Sequence, residues 1–362
     1  MAKKPKQEQE IIEPPDDVVD VGAVMARIVK DLDKEYGAGV FVPGSDALSA
    51  TPQIVPTSPA IDSITGGIEE GSWVGITGNP KTGKTTLALC IAAACQQPEN
   101  GNRVVIYAKV EGRLARNVLS GIKGLDLSKD KFRIIQSRPG HILPAHEHLR
   151  IVARCVKDIP GCCVILDSAS ALCDQGELNA EIGESGGIAG GARLFSQFVR
   201  QMSQVVPVNR TIMLVISHLI SDIKTQRLSE RSARAVQYQY DYMLRTIGKE
   251  AWKAGEEQIG LKINWACNTS KLMIPGMTAV SHIRFGTGID KLYEAIVLGM
   301  DAGLVELSGS WFVLKFVDEK KPPKYQGGEK VYQALLENPE WVKLLEDKLR
   351  GIVGTPTSGD SE

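Results

Sequence analysis

The sequence predicts an α/β fold: a mainly parallel sheet flanked by helices, preceded by an N-terminal helix and followed by a small α/β lobe. Three observations predict it. Strand-like and helix-like runs alternate from about residue 60 to 285. The first of these strands, Trp73–Thr77, and the helix-like run Thr85–Ala94 are joined by Gly78-Asn79-Pro80-Lys81-Thr82-Gly83-Lys84-Thr85, which fits G-x-x-x-x-G-K-[ST]. A second apolar strand, Val164–Leu166, delivers a single carboxylate, Asp167, at its end.

Residues 1–20 are charged and proline-containing, too poor in apolar side chains to fold alone, and are expected to be a mobile tail. Val21, Val24, Met25, Ile28, Val29 and Leu32 then recur at three- and four-residue spacing, predicting a helix over 21–36 with one apolar stripe and a stop near Gly37 and Gly39. A polar, proline-bearing link over about 43–59 completes this segment. The core is placed at 60–288. Its strands continue with Arg103–Ala108, Phe132–Gln136, Cys163–Asp167 and Thr211–Ser217, and its helices with Gly112–Lys123, Ala145–Val156 and Ala189–Val206. After Tyr240, three consecutive strands (240–247, 259–266 and 280–285) are expected to extend the sheet antiparallel. The lobe, 289–352, carries a helix (Lys291–Ala302), an aromatic strand (Ser310–Phe316) and two closing helices (Gly328–Leu336 and Pro339–Gly351), before a second mobile tail at 353–362.

Composition narrows the class. A chain of 362 residues suggests about two domains, and 43% hydrophobic with 23% charged residues is ordinary for a globular protein. No apolar run approaches the ~18 residues needed to span a bilayer, so a cytoplasmic protein with no membrane partner is expected. The formal net charge of −1 means that any nucleic-acid contact must come from a local surface. Seven cysteines without a C-x-x-C pair read as buried reduced thiols, and His146 and His148 as solvent-facing helix residues rather than metal ligands.

The chemistry concentrates at strand ends. Glycines at both ends of the Gly78–Thr85 turn let backbone N–H groups face inward, and the helix N-terminus adds roughly half a positive charge, an arrangement that favours a polyphosphate. Lys84 is expected to reach the β and γ phosphates, Thr85 to ligate Mg2+, and Thr86, next in the chain, to belong to the nucleotide-binding set. Asp167 either caps the following turn or holds Mg2+ through water. Glu111 ends the strand VVIYAKV, the expected neighbour of the phosphate-loop strand, and is the candidate to orient or deprotonate an attacking water, unless it is a plain surface glutamate. His218, after Ile212–Ser217, is either a reporter of the γ-phosphate or merely solvated.

Together these residues resemble the RecA recombinase family, from about residue 25 to 350. The phosphate loop, Glu111 in YAKVEGRL, Asp167 in VILDSASAL, EIGES at 181–185 and the strand ending at His218 occur in the family's order and spacing. The segment GIDKLYEAIVLGMDAGLVELSGSWF, followed by LLENPEWVKLLEDKLR, is similar to the family's C-terminal lobe. The resemblance implies a RecA-type P-loop ATPase core and an N-terminal polymerisation helix. It also implies ATP and Mg2+ as cofactors, single-stranded DNA and homologous duplex DNA as partners, and a helical homo-filament.

It further implies roles for single residues. Glu111 becomes the catalytic glutamate, Asp167 the acidic residue of the second nucleotide motif, and Phe285 the aromatic that stacks on adenine. His218 stands at a γ-phosphate sensor position, where a histidine is similar to phage-type relatives. Lys271 falls on one of two lysines that reach the neighbouring subunit's ATP, with Thr269 in place of the other, and Lys109 replaces a usual acidic residue. Residues 176–191, with six glycines including Gly186 and Gly187, match the first DNA loop. Residues 219–234, with Lys224, Arg227, Arg231 and Arg234, match the second, though without its glycine-rich stretch. A recombination mediator that binds ATP and DNA without exchanging strands is the alternative.

Overall fold

Several of the expected strands are apolar at every position, so both faces of the sheet must be covered. The computed structural model, which describes residues 20–48, 51–112, 114, 116–181, 190–221, 228–230 and 234–353, places ten strands in one sheet. In chain order they are β1 (Trp73–Gly78), β2 (Val105–Lys109), β3 (Phe132–Ile135), β4 (Cys163–Asp167), β5 (Ile212–Ser221), β6 (Leu228–Glu230), β7 (Tyr242–Ala254), β8 (Glu257–Thr269), β9 (Met277–Arg284) and β10 (Gly288–Ile289). Their spatial order is β10-β9-β8-β7-β1-β5-β4-β2-β3, with β6 paired to β5. The pairs β1–β5, β5–β4, β4–β2 and β2–β3 are parallel. So is β7 on β1; β8, β9 and β10 then continue antiparallel, which moves the expected reversal one strand later, and β6 pairs antiparallel with β5.

The helices used below are α1 (Val21–Tyr36), α2 (Pro59–Thr65), α3 (Lys84–Cys95), α4 (Ala145–Asp158), α5 (Gly190–Met202), α6 (Lys291–Asp301), α7 (Gly328–Glu337) and α8 (Pro339–Val353). Side chains alternate across the strands, so Val74, Ile76, Tyr107 and Ile165 pack on one face with α3, and Ile106, Val164, Met213 and Val215 on the other with α4 and α5. Leu87 to Cys95 of α3 is buried all round. A third cluster, including Ile296, Leu314, Phe316 and Leu345, is built from α6, α7, α8 and a three-stranded sheet, β11 (Val305–Ser308), β12 (Trp311–Leu314) and β13 (Lys324–Gln326). The single aromatic strand expected at 310–316 is therefore the middle strand of that sheet.

The chain divides into two units, 1–51 and 52–362. In the first, Asp20 caps α1 by accepting the Ala23 N–H at 3.2 Å, Gly37 at φ 95° ends it, and no residue of α1 is buried. The expected link at 43–59 holds a short helix, Gly44–Leu48, and from Pro52 onward it belongs to the second unit: Val55 is fully buried and Gln53 accepts from Arg103 at 2.8 Å.

Three more expectations are corrected. The helix at 112–123 is only Arg116–Ser120, and the helix from 189 breaks after Met202 and resumes as Val205–Val208, where Ser203 turns its hydroxyl back to the Arg200 carbonyl. His148 is 2% exposed, because it falls on the buried stripe of α4 with Ala145, Leu149, Val152 and Val156, and burial lowers its pKa. All seven cysteines are free, five of them buried.

Glu294 ties α6 to α2 and the large sheet: it is 1% exposed, and its two oxygens accept the Ala60 N–H of α2 (3.1 Å) and the His282 N–H of β9 (3.0 Å). Burial pushes its pKa up to about 7 despite those donors, and pushes Asp62 of α2 up to about 6 despite bonds from Thr57. A carboxyl raised in the folded state leaves stability intact below its unfolded pKa and removes it as pH climbs to the folded value, by about 1.4 kcal/mol per unit. Urea unfolding is therefore expected to give a lower free energy at pH 7.5 than near the ordinary glutamate pKa of 4.5, and Glu294→Gln to shrink that difference. An unchanged difference in the glutamine variant would remove Glu294 as the cause.

Candidate active site

The Gly78–Thr85 turn leaves β1 and enters α3, and its two glycines are required by close approach. A Cβ on Gly78 would stand 1.8 Å from Thr246 Oγ1 of β7, and one on Gly83 (φ 77°) would stand 2.5 Å from Ile283 Cδ1 of β9. Inside the turn, Thr82 donates to the Asn79 carbonyl at 2.7 Å and accepts from Thr246 at 3.1 Å. Asn79, Pro80 and Lys81 form its exposed crest. Lys84 is buried, and its Nζ donates to the Gly78 and Asn79 carbonyls at 3.0 and 2.7 Å. Burial lowers the Lys84 pKa to about 8, with Asp167 and Glu111 pulling the other way. Thr86 follows, half-buried, in the first turn of α3.

Asp167 ends β4 and is 9% exposed. Its Oδ2 accepts both the Thr85 hydroxyl at 2.8 Å and the Tyr107 hydroxyl at 2.5 Å. Burial raises its pKa, and those two donors offset part of the rise. Glu111 was expected on the strand next to β1, and this is corrected: β5 and β4 lie between β1 and β2, because β1 takes its neighbours from strands much later in the chain. The glutamate still arrives at the site. The Val110 and Glu111 N–H groups donate to the Asp167 carbonyl at 2.8 and 3.2 Å, folding the chain across the end of β4. There Glu111 Oε1 accepts the Ser168 hydroxyl at 2.7 Å and meets His218 Nε2. Burial pushes the Glu111 pKa up, but the bonds from Ser168 and His218 and the charges of His218 and Lys84 bring it below its ordinary value. His218 pairs in register with Gly78 on the adjacent strand, and its N–H donates to Ser170 Oγ at 2.9 Å.

The carboxyl ends of β1, β5, β4 and β2 thus bring Lys84, Thr85, His218, Asp167 and Glu111 together, at the edge where open α/β sheets bind ligands. A family model described as RecA N-terminal domain matches residues 23–290, which includes all of them. The chain belongs to the RecA family. Protein RecA of Thermotoga neapolitana is 27% identical over 339 residues, covering 92% of this chain and 93% of that protein. Protein RecA of Nitratidesulfovibrio vulgaris is 31% identical over 334 residues (90% and 88%), and that of Bacillus licheniformis 26% over 343 residues (93% and 94%).

In this RecA-family chain the other predicted residues make, among the described residues, no side-chain hydrogen bond or ion pair to the cluster. Phe285 follows β9, 55% exposed, two residues beyond the Ile283 that packs on Gly83. Lys271, past the end of β8, pairs with Glu69, and Thr269 is exposed at the end of that strand. Lys109 ends β2 in register with Asp167. Gly186, Gly187, Lys224, Arg227 and Arg231 lie outside the described residues, as does the side chain of Arg234, whose backbone opens a short helix. The segments flanking them are more regular than glycine content and charge suggested. Gln175–Asn179 is a helix closed by an Asp174–Glu177 capping box, and β5 runs past His218 to pair with β6, Leu219 opposite Glu230. Sequence reasoning missed Tyr107, Ser168, Ser170 and Thr246. Only Tyr107, a hydroxyl inside an apolar strand, carried a signal. Among the described residues no group of three or more His, Cys, Asp or Glu is placed to hold a metal, and no helix is long and apolar enough to cross a membrane.

Proposed function

We propose that this RecA-family chain is a DNA-dependent ATPase that polymerises on single-stranded DNA and promotes homology search and strand exchange with duplex DNA. The carrying observation is the cluster at the four strand ends, where a buried lysine, a hydroxyl–carboxylate pair and a glutamate–histidine pair face one phosphate-binding turn. Thr85 and the buried Asp167 are hard oxygen donors suited to Mg2+ with retained waters. When bound, Mg2+ supplies positive charge against the phosphates. Lys84 binds the phosphates, and Glu111, held ionised, orients or deprotonates the attacking water. His218 links that carboxylate to the β5–β6 ladder, which leads into the basic segment expected on DNA.

Assembly is supported by the apolar stripe of α1, none of whose residues is buried, by exposed Val40, Phe41 and Val42 after it, and by β3, which among the described residues pairs on one edge. Phe285, exposed two residues past the Ile283 that neighbours Gly83, suits an adenine platform, and Lys271 is the residue proposed to act on a neighbouring subunit's nucleotide. The cytoplasm is the proposed compartment. The neutral Thr269 at the end of β8 favours the second reading, a mediator that binds ATP and DNA without exchange.

The test is ATP turnover with and without single-stranded DNA, electron microscopy with a non-hydrolysable ATP analogue, and exchange between homologous DNAs. Stimulated turnover, regular helical filaments and exchanged product are expected. Filaments without exchange would select the mediator, and turnover indifferent to DNA would end both readings.

A further inference from the structure

Tyr107 stands in the middle of β2 and is 1% exposed, its ring among the residues packed with α3 and stacked on Phe132 at 6.3 Å and 26°. A ring so enclosed has little freedom to turn its hydroxyl elsewhere. That hydroxyl donates at 2.5 Å to Asp167 Oδ2, the oxygen that also accepts Thr85 at 2.8 Å. Among the described residues Asp167 Oδ1 accepts no hydrogen bond, so the two oxygens of one carboxylate are unequal. Oδ2 is held by two fixed donors, one from the sheet and one from the phosphate-loop helix.

We propose that Tyr107 is a positioning residue for the metal-facing carboxylate, clamping Asp167 Oδ2 beside Thr85 so that Oδ1 is left to the waters of a nucleotide-bound divalent cation. The inference rests on the reading of this turn as an ATP–Mg2+ site and deepens it. The phenol is well suited to the task. It is a neutral donor that burial and the neighbouring Asp167 charge keep protonated, so it orients the carboxylate without adding a positive charge that would compete with the cation. Partners that orient a metal-binding group from behind typically change metal affinity about 10–100-fold when removed. A tyrosine merely satisfied in the core would change stability and leave metal dependence alone.

The experiment compares wild type with Tyr107→Phe, which keeps the ring and its stack on Phe132. Binding of a fluorescent ATP analogue is measured in EDTA and then across a Mg2+ titration, with thermal melts alongside and Mn2+ binding followed by electron paramagnetic resonance. The expected result is unchanged affinity in EDTA, a melt close to wild type, and a Mg2+ concentration for half-maximal enhancement raised roughly 10-fold, with Mn2+ binding weakened in parallel. A Mg2+ midpoint equal to wild type overturns the proposal while leaving the nucleotide site standing. A variant that no longer folds also counts against it, since the hydroxyl would then be holding the sheet rather than aiming an oxygen. A wild-type protein that binds the analogue without any Mg2+ dependence overturns the underlying site and this proposal together.

Discussion

Lys84→Ala is expected to abolish detectable nucleotide binding while leaving the fold intact. The lysine is buried at the start of α3 with its ammonium on the Gly78 and Asn79 carbonyls, inside the turn whose backbone would cradle the phosphates. Hydrogen bonds to charged groups contribute about 1.5–3 kcal/mol each, so losing two to a phosphate corresponds to roughly two to four orders of magnitude in Kd. Stability should change far less, because burial penalises the ammonium in the free protein and its removal relieves that penalty as it breaks the two bonds. The same burial gives a pH signature. With the Lys84 pKa lowered to about 8, the free site loses its positive charge as pH rises through that value, and wild-type affinity is expected to weaken there. Equilibrium binding of a labelled adenine nucleotide with Mg2+, from pH 7 to 9, checks both points. Retained affinity in a folded alanine variant would show that the turn does not grip phosphate through this side chain.

Glu111→Gln is expected to keep nucleotide binding within a few-fold of wild type while lowering turnover by about 10²–10⁴, the usual contribution of a positioned general base. Glutamine preserves the volume and can still accept from Ser168, so the geometry at the end of β4 should persist. What it loses is the carboxylate charge that Ser168, His218 and Lys84 keep ionised. Because those groups hold the Glu111 pKa below the ordinary glutamate value, the acid limb of wild-type hydrolysis should not begin near pH 6 on its account. Single-turnover hydrolysis, measured beside analogue binding, separates the two effects. Normal hydrolysis by the glutamine variant would remove Glu111 from the mechanism.

These residues differ in how far a local run of sequence specifies them. The phosphate turn is contiguous, so eight consecutive letters specify its glycines, its lysine and its hydroxyl, and the flanking apolar runs place it between strand and helix. Asp167 was legible because a carboxylate at the end of a fully apolar strand has to be explained. Glu111 follows β2 as its sequence position suggests, but β2 lies beside β4 and not β1, since strand adjacency depends on which later strands pair with β1. His148 is buried because its place on the apolar stripe of α4 outweighs the polarity of its ring. Ser168, Ser170 and Thr246 could not be found in this way. Serine and threonine hydroxyls are common, and only contact tells one bonded within the cluster from a solvated one.

The sequence by itself determined the alternation of strands and helices, the glycine-bounded Gly78–Thr85 turn and the residue types near the strand ends, because periodicity, glycine conformation and buried charge act over a few neighbouring residues. Only the tertiary structure decided that β5 and β4 stand between β1 and β2, that Glu111 meets His218 across β4, and that Tyr107 shares one oxygen of Asp167 with Thr85. Those pairings join residues 60 to 107 positions apart, and they follow from how ten strands share one hydrogen-bonded sheet between two apolar faces.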